Sequence, residues 1–245
     1  MAIRLHNTLS GRLEPVEADA SGGLSLYVCG PTVYEHAHVG HMRSALTYDV
    51  LVRHLRSSGL RVKFVRNVTD VEDKIMKRAA ERGETPEQLS RRYEQSYHED
   101  TGRLGLVAPD IEPRVSEHMD EIRALIARLI DKGAAYASEG DVYFSVQAFP
   151  QYGKLSHRKQ ADLEYGASGR LDDEELRRKR HPADFALWKR AEPGEPATWE
   201  SPWGPGRPGW HIECSAMSMR YLGESFDLHG GGLDLVFPHH ENEIA

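Results

Sequence analysis

A chain of 245 residues, 39% apolar and 28% charged, has the composition of a globular protein that buries a substantial core as one large domain or one domain with an insertion. A net charge of −7 argues against a nucleic-acid surface built on overall basicity, so any RNA contact must be local or supplied elsewhere. No apolar run approaches the roughly 20 residues of a membrane span, and Met1-Ala2-Ile3-Arg4-Leu5-His6 lacks a signal-peptide core. Two cysteines 185 positions apart give no disulfide framework, so a cytoplasmic protein with metal-bound or free thiols is expected.

Leu24 to Cys29 reads as a short buried strand that must stop at Gly30-Pro31. A helix is predicted from Gly40, because Ala45, Tyr48, Leu51, Val52 and Leu55 share one face and Gly59 supplies the stop. Arg61 to Val65 is the next strand, ending at Asn67-Val68-Thr69-Asp70. Strand, helix, strand makes a βαβ unit with parallel strands and a right-handed crossover, the opening of a nucleotide-binding α/β fold.

Three helices are predicted next, at about Val71–Arg82, Pro86–Leu104 and Glu117–Lys132. Thr85, Pro86 and Gln88 make a capping box with proline at the first helical position, and Gly83, Gly105 and Gly133 are stops. Ile122, Leu125, Ile126 and Leu129 form an apolar stripe that needs only a packing explanation. Between about Ala135 and Trp199 the pattern turns to short mixed segments, read as an inserted, mostly surface module. Its charged run, Asp172 to Arg180, reads as a solvated face or loop. Beyond the Gly- and Pro-rich stretch Pro202–Trp210 come a helix carrying Cys214, a strand Phe226-Asp227-Leu228 and the turn His229-Gly230-Gly231-Gly232.

Lone cysteines are ordinarily inert buried thiols, but these two have metal-binding company. Cys29 precedes a histidine-rich stretch, Cys214 follows Trp210-His211-Ile212-Glu213, and a third group, Pro238-His239-His240-Glu241-Asn242-Glu243, closes the sequence. If the three groups converge, they make a zinc site of two thiolates, an imidazole and a carboxylate. A helix started by Pro238 would put His239 and Glu243 on one face, leaving His240 and Glu241 for supporting or solvent contacts. His38-Val39-Gly40-His41 lies where the first strand gives way to its helix, a place where phosphate is the expected guest. Two imidazoles there add donors, and Gly40 permits close approach to the backbone. The pattern by itself is weak, since surface histidines are ordinary, and its position is what lends it weight. The glycines after His229 suit either a plain turn or close approach to a nucleoside.

Taken together, five blocks resemble the amino-terminal part of a bacterial cysteinyl-tRNA synthetase, a class I aminoacyl-tRNA synthetase. They are Tyr27-Val28-Cys29-Gly30-Pro31-Thr32-Val33-Tyr34, His38-Val39-Gly40-His41, Arg66-Asn67-Val68-Thr69-Asp70, Gly206 to Met217, and His229-Gly230-Gly231-Gly232 through Ala245. Val39 stands where the family signature usually has Ile. The resemblance implies a Rossmann-like parallel-sheet nucleotide-binding domain with an inserted connective module. Residues 1–134 would form its first half, 135–199 the module and 200–245 the second half. It implies one zinc per chain, held by Cys29, Cys214, His239 and Glu243, and Mg-ATP met by His38 and His41 as the catalytic histidines. It also implies nucleotide contacts from Thr32, Gly40, Gly231 and Asp234, and a cysteine pocket using Gly30, Thr69 and Trp210.

The implied activity is ATP-dependent activation of L-cysteine to cysteinyl-adenylate and its transfer to tRNA(Cys), with no membrane partner. The lysine-bearing K-M-S-K-S loop and the anticodon-reading region of that family do not occur within these 245 residues. A truncated form that binds zinc and cysteine but activates cysteine poorly is therefore expected, with its last helix marginal by itself. Two other readings stand beside it, a mycothiol-pathway cysteine ligase and a non-catalytic zinc- or cysteine-binding fragment.

Overall fold

The apolar run before Cys29 and the amphipathic stretch after Gly40 form the expected strand and helix in the computed structural model, which describes residues 3–158 and 173–245. In chain order the elements begin with β1 (Arg4–Asn7), β2 (Arg12–Pro15), β3 (Gly23–Val28), α1 (Val39–Ser57), β4 (Arg61–Arg66), α2 (Asp73–Arg82) and α3 (Pro86–Arg103). They continue with α4 (Met119–Asp131), β5 (Ala135–Ser138), β6 (Asp141–Phe144), α5 (Asp173–Arg178), β7 (Phe185–Arg190) and β8 (Gly206–Pro208). The last are α6 (Trp210–Leu222), β9 (Leu228–Gly230) and α7 (Glu241–Ile244). The chain forms two compact units. One comprises Met1–His6, Leu13–His118 and Met217–Gly232, and the other Asn7–Arg12, Met119–Ala216 and Leu233–Ala245.

The first unit is built on a parallel sheet in the order β4-β3-β9. Val28 pairs with both Arg66 and Gly230, so the three strands end level and the residues after them gather at one sheet edge. Leu24, Leu26 and Val28 of β3 pack with Val52 and Leu55 of α1 and with Val62 and Phe64 of β4. Burial of such aliphatic side chains stabilises by roughly 1.5–3 kcal/mol each, which explains why β3 is an apolar run and not an alternating one. Thr85 and Gln88 form the predicted capping box, and Gly83 ends α2 in the left-handed conformation at φ +66°. Residues 110–115 add a feature without a sequence signal, running parallel to the outer side of β4 through bridges at Val65/Ile111 and Val68/Arg114. The predicted strand at Phe226–Leu228 is displaced to Leu228–Gly230 because Asp227 accepts bonds from the Ser25 N–H (2.7 Å) and hydroxyl (2.5 Å), leaving Phe226 and Asp227 outside the ladder.

In the second unit, β5, β6, β7 and β8 make an antiparallel sheet in that order. Tyr143, Leu187 and Trp188 are at most 1% exposed, which corrects the expectation of a mostly surface module. The charged run is corrected too. From Asp173 it forms α5, and Arg178 sits 2.6 Å from the buried Asp141 while Lys179 pairs with Glu175 at 3.0 Å. Charges withdrawn from water need such partners, so Glu175, Arg178 and Lys179 are drawn inward while Arg177 and Arg180 remain exposed. Asp172 and residues 159–171 of the inserted module lie outside the described residues.

A charge cluster in the first unit, with Arg66 buried, Glu112 half-buried and His98 exposed, ties α3 to the segment beside β4. Glu112 accepts from Arg66 at 2.9 Å and pairs with His98 at 2.7 Å. The bond from Glu112 raises the His98 pKa above its ordinary 6.5 against the opposing effect of burial. Burial pushes Glu112 upward, but His98 and Arg66 hold it below its ordinary 4.5. The His98 contribution is therefore whole below the ordinary imidazole value and fades as pH rises through the raised folded value, while that of Glu112 fades as pH falls through its lowered one. Between about pH 6 and pH 8 the denaturant midpoint of the wild type should fall more steeply than that of His98→Asn. Parallel profiles for the two proteins would remove this pair from the account.

Candidate functional site

At the level edge of the parallel sheet, the turn after β3 is held by its own backbone. Cys29 N–H donates to the Gly230 carbonyl (3.0 Å), Thr69 N–H to that of Pro31 (3.0 Å) and Val33 N–H to that of Thr69 (3.1 Å). The Cys29 sulfur lies 3.5 Å from His229 Nε2. Gly30 N–H donates to Asn67 Oδ1 (2.9 Å), and a Cβ on Gly30 would fall 1.6 Å from the Asn67 carbonyl oxygen. Only glycine fits there. Thr69 is buried and its hydroxyl accepts from Asn67 Nδ2 at 3.2 Å. Tyr48 of α1 donates to the Gly231 carbonyl (3.0 Å), and a Cβ on Gly230 would strike the Tyr48 ring at 2.4 Å. Glycine in this turn thus admits Tyr48, which the helix pattern places on the packing face and not at the site.

His38 and His41 are brought together at the amino end of α1. His38 is the N-cap, its Nδ1 accepting from Gly40 N–H (3.0 Å), and His41 Nδ1 accepts from His38 N–H (3.2 Å). This reciprocal box uses histidines where Ser/Thr and Glu/Gln usually serve. Its chemical consequence is a fixed tautomer, since a neutral imidazole that accepts at Nδ1 carries its hydrogen on Nε2. The rings lie 4.0 Å apart, centre to centre. Gly40 has a local duty as well, because a Cβ there would come within 2.8 Å of the His38 ring.

In the second unit the thiol of Cys214 on α6, the ring nitrogen of His239 and the carboxylate of Glu243 on α7 offer ligand atoms within 4.8 Å of one another. His239 Nε2 is 2.6 Å from Glu243 Oε1, the shared face that the four-residue spacing predicted. Burial opposes charge on His239, but Glu243 first and Cys214 next push its pKa up to about 10. These are side chains that draw positive charge to one point. A thiolate, an imidazole and a carboxylate at such spacing fit the zinc donor set. Trp210 stacks on the His239 ring at 4.3 Å, and His211 Nδ1 lies 3.1 Å from His239 Nδ1. His211, three residues before Cys214 on α6, was not among the expected site residues, although that spacing places both on one helix face.

The start of the last helix differs from expectation. Val236–His240 is a π-type turn with Phe237 extended (φ −136°, ψ 130°), and regular helix begins at Glu241 instead of Pro238. Asp234 is exposed on a 3₁₀ turn, Leu233–Leu235.

Residues 15–245 match the family model described as the tRNA synthetases class I (C) catalytic domain. The chain belongs to that family. Among its relatives, the cysteine-tRNA ligase of Desulfotalea psychrophila is 55% identical over the whole chain, which covers 49% of the relative. That of Syntrophotalea carbinolica is 57% identical and that of Anaeromyxobacter sp. (strain K) 58%, each again matched over the whole chain and 50% of the relative. The chain therefore spans about half the length of these curated relatives. Two structures of Mycobacterium tuberculosis methionyl-tRNA synthetase with methionyl-adenylate superpose with TM-scores of 0.63 and 0.64 at 15% and 14% identity. They cover 87% and 90% of this chain, and the chain covers 52% and 54% of theirs. Such likeness establishes the Rossmann-like class I fold. No helix among the described residues is long and apolar enough to cross a membrane.

The capping box separates two duties of His38. His38→Ala should cost about 1 kcal/mol through loss of the cap, while His38→Asn, which caps well, should cost much less. Urea unfolding of both variants checks this, and equal losses would show that the ring does not act as a cap.

Proposed function

We propose that this chain supplies the cysteine-recognising and nucleotide-binding part of a cysteine-tRNA ligase, in which zinc selects the substrate by its thiol. The observation that carries the reading is the meeting of Cys214, His239 and Glu243 donors within 4.8 Å. Cys29, at the end of β3, is the proposed fourth ligand. An enzyme of this kind must reject serine, and a pocket working by shape alone separates near-isosteres by only about a hundredfold. Bound zinc would supply a soft Lewis-acid centre, at which a thiolate is a far better ligand than a hydroxyl.

The rest falls to the protein's own side chains. Trp210, stacked on His239, fixes the plane of that ring, and Gly30, Thr69 and Trp210 are assigned to the cysteine pocket. His38 and His41 offer Nε2–H groups to the phosphates of Mg-ATP from the amino end of α1, where the helix dipole also favours negative charge. Thr32, Gly40, Gly231 and Asp234 are assigned to the nucleotide. In the reaction the cysteine carboxylate attacks the α-phosphorus in line, forming cysteinyl-adenylate as pyrophosphate leaves. The histidine donors follow the charge developing on the phosphate oxygens. Attack of a ribose hydroxyl of the terminal adenosine of tRNA(Cys) on the cysteinyl carbonyl then forms the ester and releases AMP, completing the cycle. Residues 1–134 and 200–245 are read as the two halves of the catalytic domain, and 135–199 as its connective module.

The purified chain should hold about one zinc per molecule. Cys214→Ser and Glu243→Gln should each lower zinc affinity by about tenfold or more while preserving the far-ultraviolet circular dichroism. A wild-type chain that takes up no zinc would sink the proposal. Cysteine-dependent pyrophosphate exchange by the chain alone should run far below that of a full-length relative, and a comparable rate would overturn the expected impairment. In that assay His38→Asn should lower the rate by about a hundredfold, even though it keeps the cap.

A further inference from the structure

The proposed zinc donor Glu243 lies on α7, which is fastened to its unit by side chains that are not themselves donors. What holds it is on its other side. Glu241 is 0% exposed, and its carboxylate accepts three backbone N–H groups of one loop: Gly153 at 2.9 Å and Leu155 at 3.4 Å on Oε1, and Ser156 at 2.7 Å on Oε2. The next residue repeats the connection, with the Tyr152 hydroxyl donating to Asn242 Oδ1. Glu241 is two residues from both His239 and Glu243, about 200° around a helix, so the clamp grips the face opposite the donors. The loop is shaped for this. Gly153 has φ +93°, a Cβ there would meet the Arg158 carbonyl oxygen at 2.1 Å, and Arg158 N–H closes the turn on the Gly153 carbonyl at 3.0 Å. A run of N–H groups converging on one carboxylate is an anion nest, here filled by the protein's own side chain.

We propose that Glu241 is a positioning residue for the metal site: by filling the backbone nest at Gly153–Ser156 it fixes α7 so that His239 and Glu243 present their donors together. The inference rests on the zinc reading above and assigns the loop at 152–156 a share in metal affinity, although none of its side chains is a proposed ligand. The physical basis is preorganisation. A clamped helix loses little freedom when the donors close on an ion, whereas a loosened one must be ordered at that moment.

The test compares the wild type, Glu241→Gln, Glu241→Asp and Tyr152→Phe by zinc competition with a chromophoric chelator, well below each protein's unfolding temperature. Amide hydrogen exchange at Gly153 and Ser156 is read with and without zinc. Glu241→Gln should weaken zinc binding by about 10–100-fold and speed exchange at both amides. Glu241→Asp, which keeps the charge, should recover part of the affinity. Tyr152→Phe, a milder change that keeps the ring, should weaken binding several-fold and covers the case in which Glu241→Gln does not fold. In the wild type, zinc should slow exchange at Gly153 and Ser156. Folded Glu241→Gln and Tyr152→Phe with wild-type zinc affinity would overturn the positioning role while leaving the zinc reading intact. A wild type that binds no zinc would instead remove the zinc reading itself.

Discussion

The ion pair between His239 and Glu243 is the constraint around which the second unit is organised. Their side chains are only 1% and 6% exposed, and two groups so far from water are costly unless each finds a partner. The pair meets that cost by facing Cys214 on α6, by the ring of Trp210 over His239, and by the Glu241 clamp behind the helix. Removing either member of the pair would leave the other buried without its opposite charge. In the proposed holoprotein the same cluster of negative donors, which draws a proton to His239, receives a divalent cation. The preference for positive charge at that point is already built into the packing.

The first unit rests on register. Because β4, β3 and β9 end together, the turn at Cys29–Gly30, the Asn67–Thr69 segment and the Gly230–Gly231 turn are set side by side by backbone bonds. Close approach of the Asn67 backbone then dictates glycine at Gly30, and the Tyr48 ring lying against Gly230 favours glycine there, irrespective of any ligand. The His38 and His41 pair shows how stability and proposed catalysis share atoms. Each Nδ1 serves the helix end and thereby fixes the hydrogen on Nε2, the atom assigned to phosphate.

Much of this was legible beforehand because it is local. Thr85 with Gln88, Gly83 after α2 and the apolar face of α1 are patterns within one or two turns of chain, and each is found where the pattern put it. His239 and Glu243 share a face because four residues is nearly one helical turn. The inserted module was harder to read. Its strands are four to six residues or shorter, and their pairing is decided by partners up to dozens of residues away, so the buried Tyr143 and Trp188 gave no periodic signal. The charged run was legible only in part for a related reason, since Lys179 pairs with its neighbour Glu175 but Arg178 is neutralised by Asp141 of the distant strand β6.

The sequence by itself determined the βαβ opening, the helix caps, the donor chemistry and the family, because side-chain type, spacing and motif order are properties of the chain alone. Only the tertiary structure decided that Glu241 faces a backbone nest instead of solvent, that His211 lies against His239, and that residues 110–115 line β4. Those contacts join residues 28 to 88 positions apart, or depend on backbone atoms that every residue carries, so no side-chain pattern could announce them.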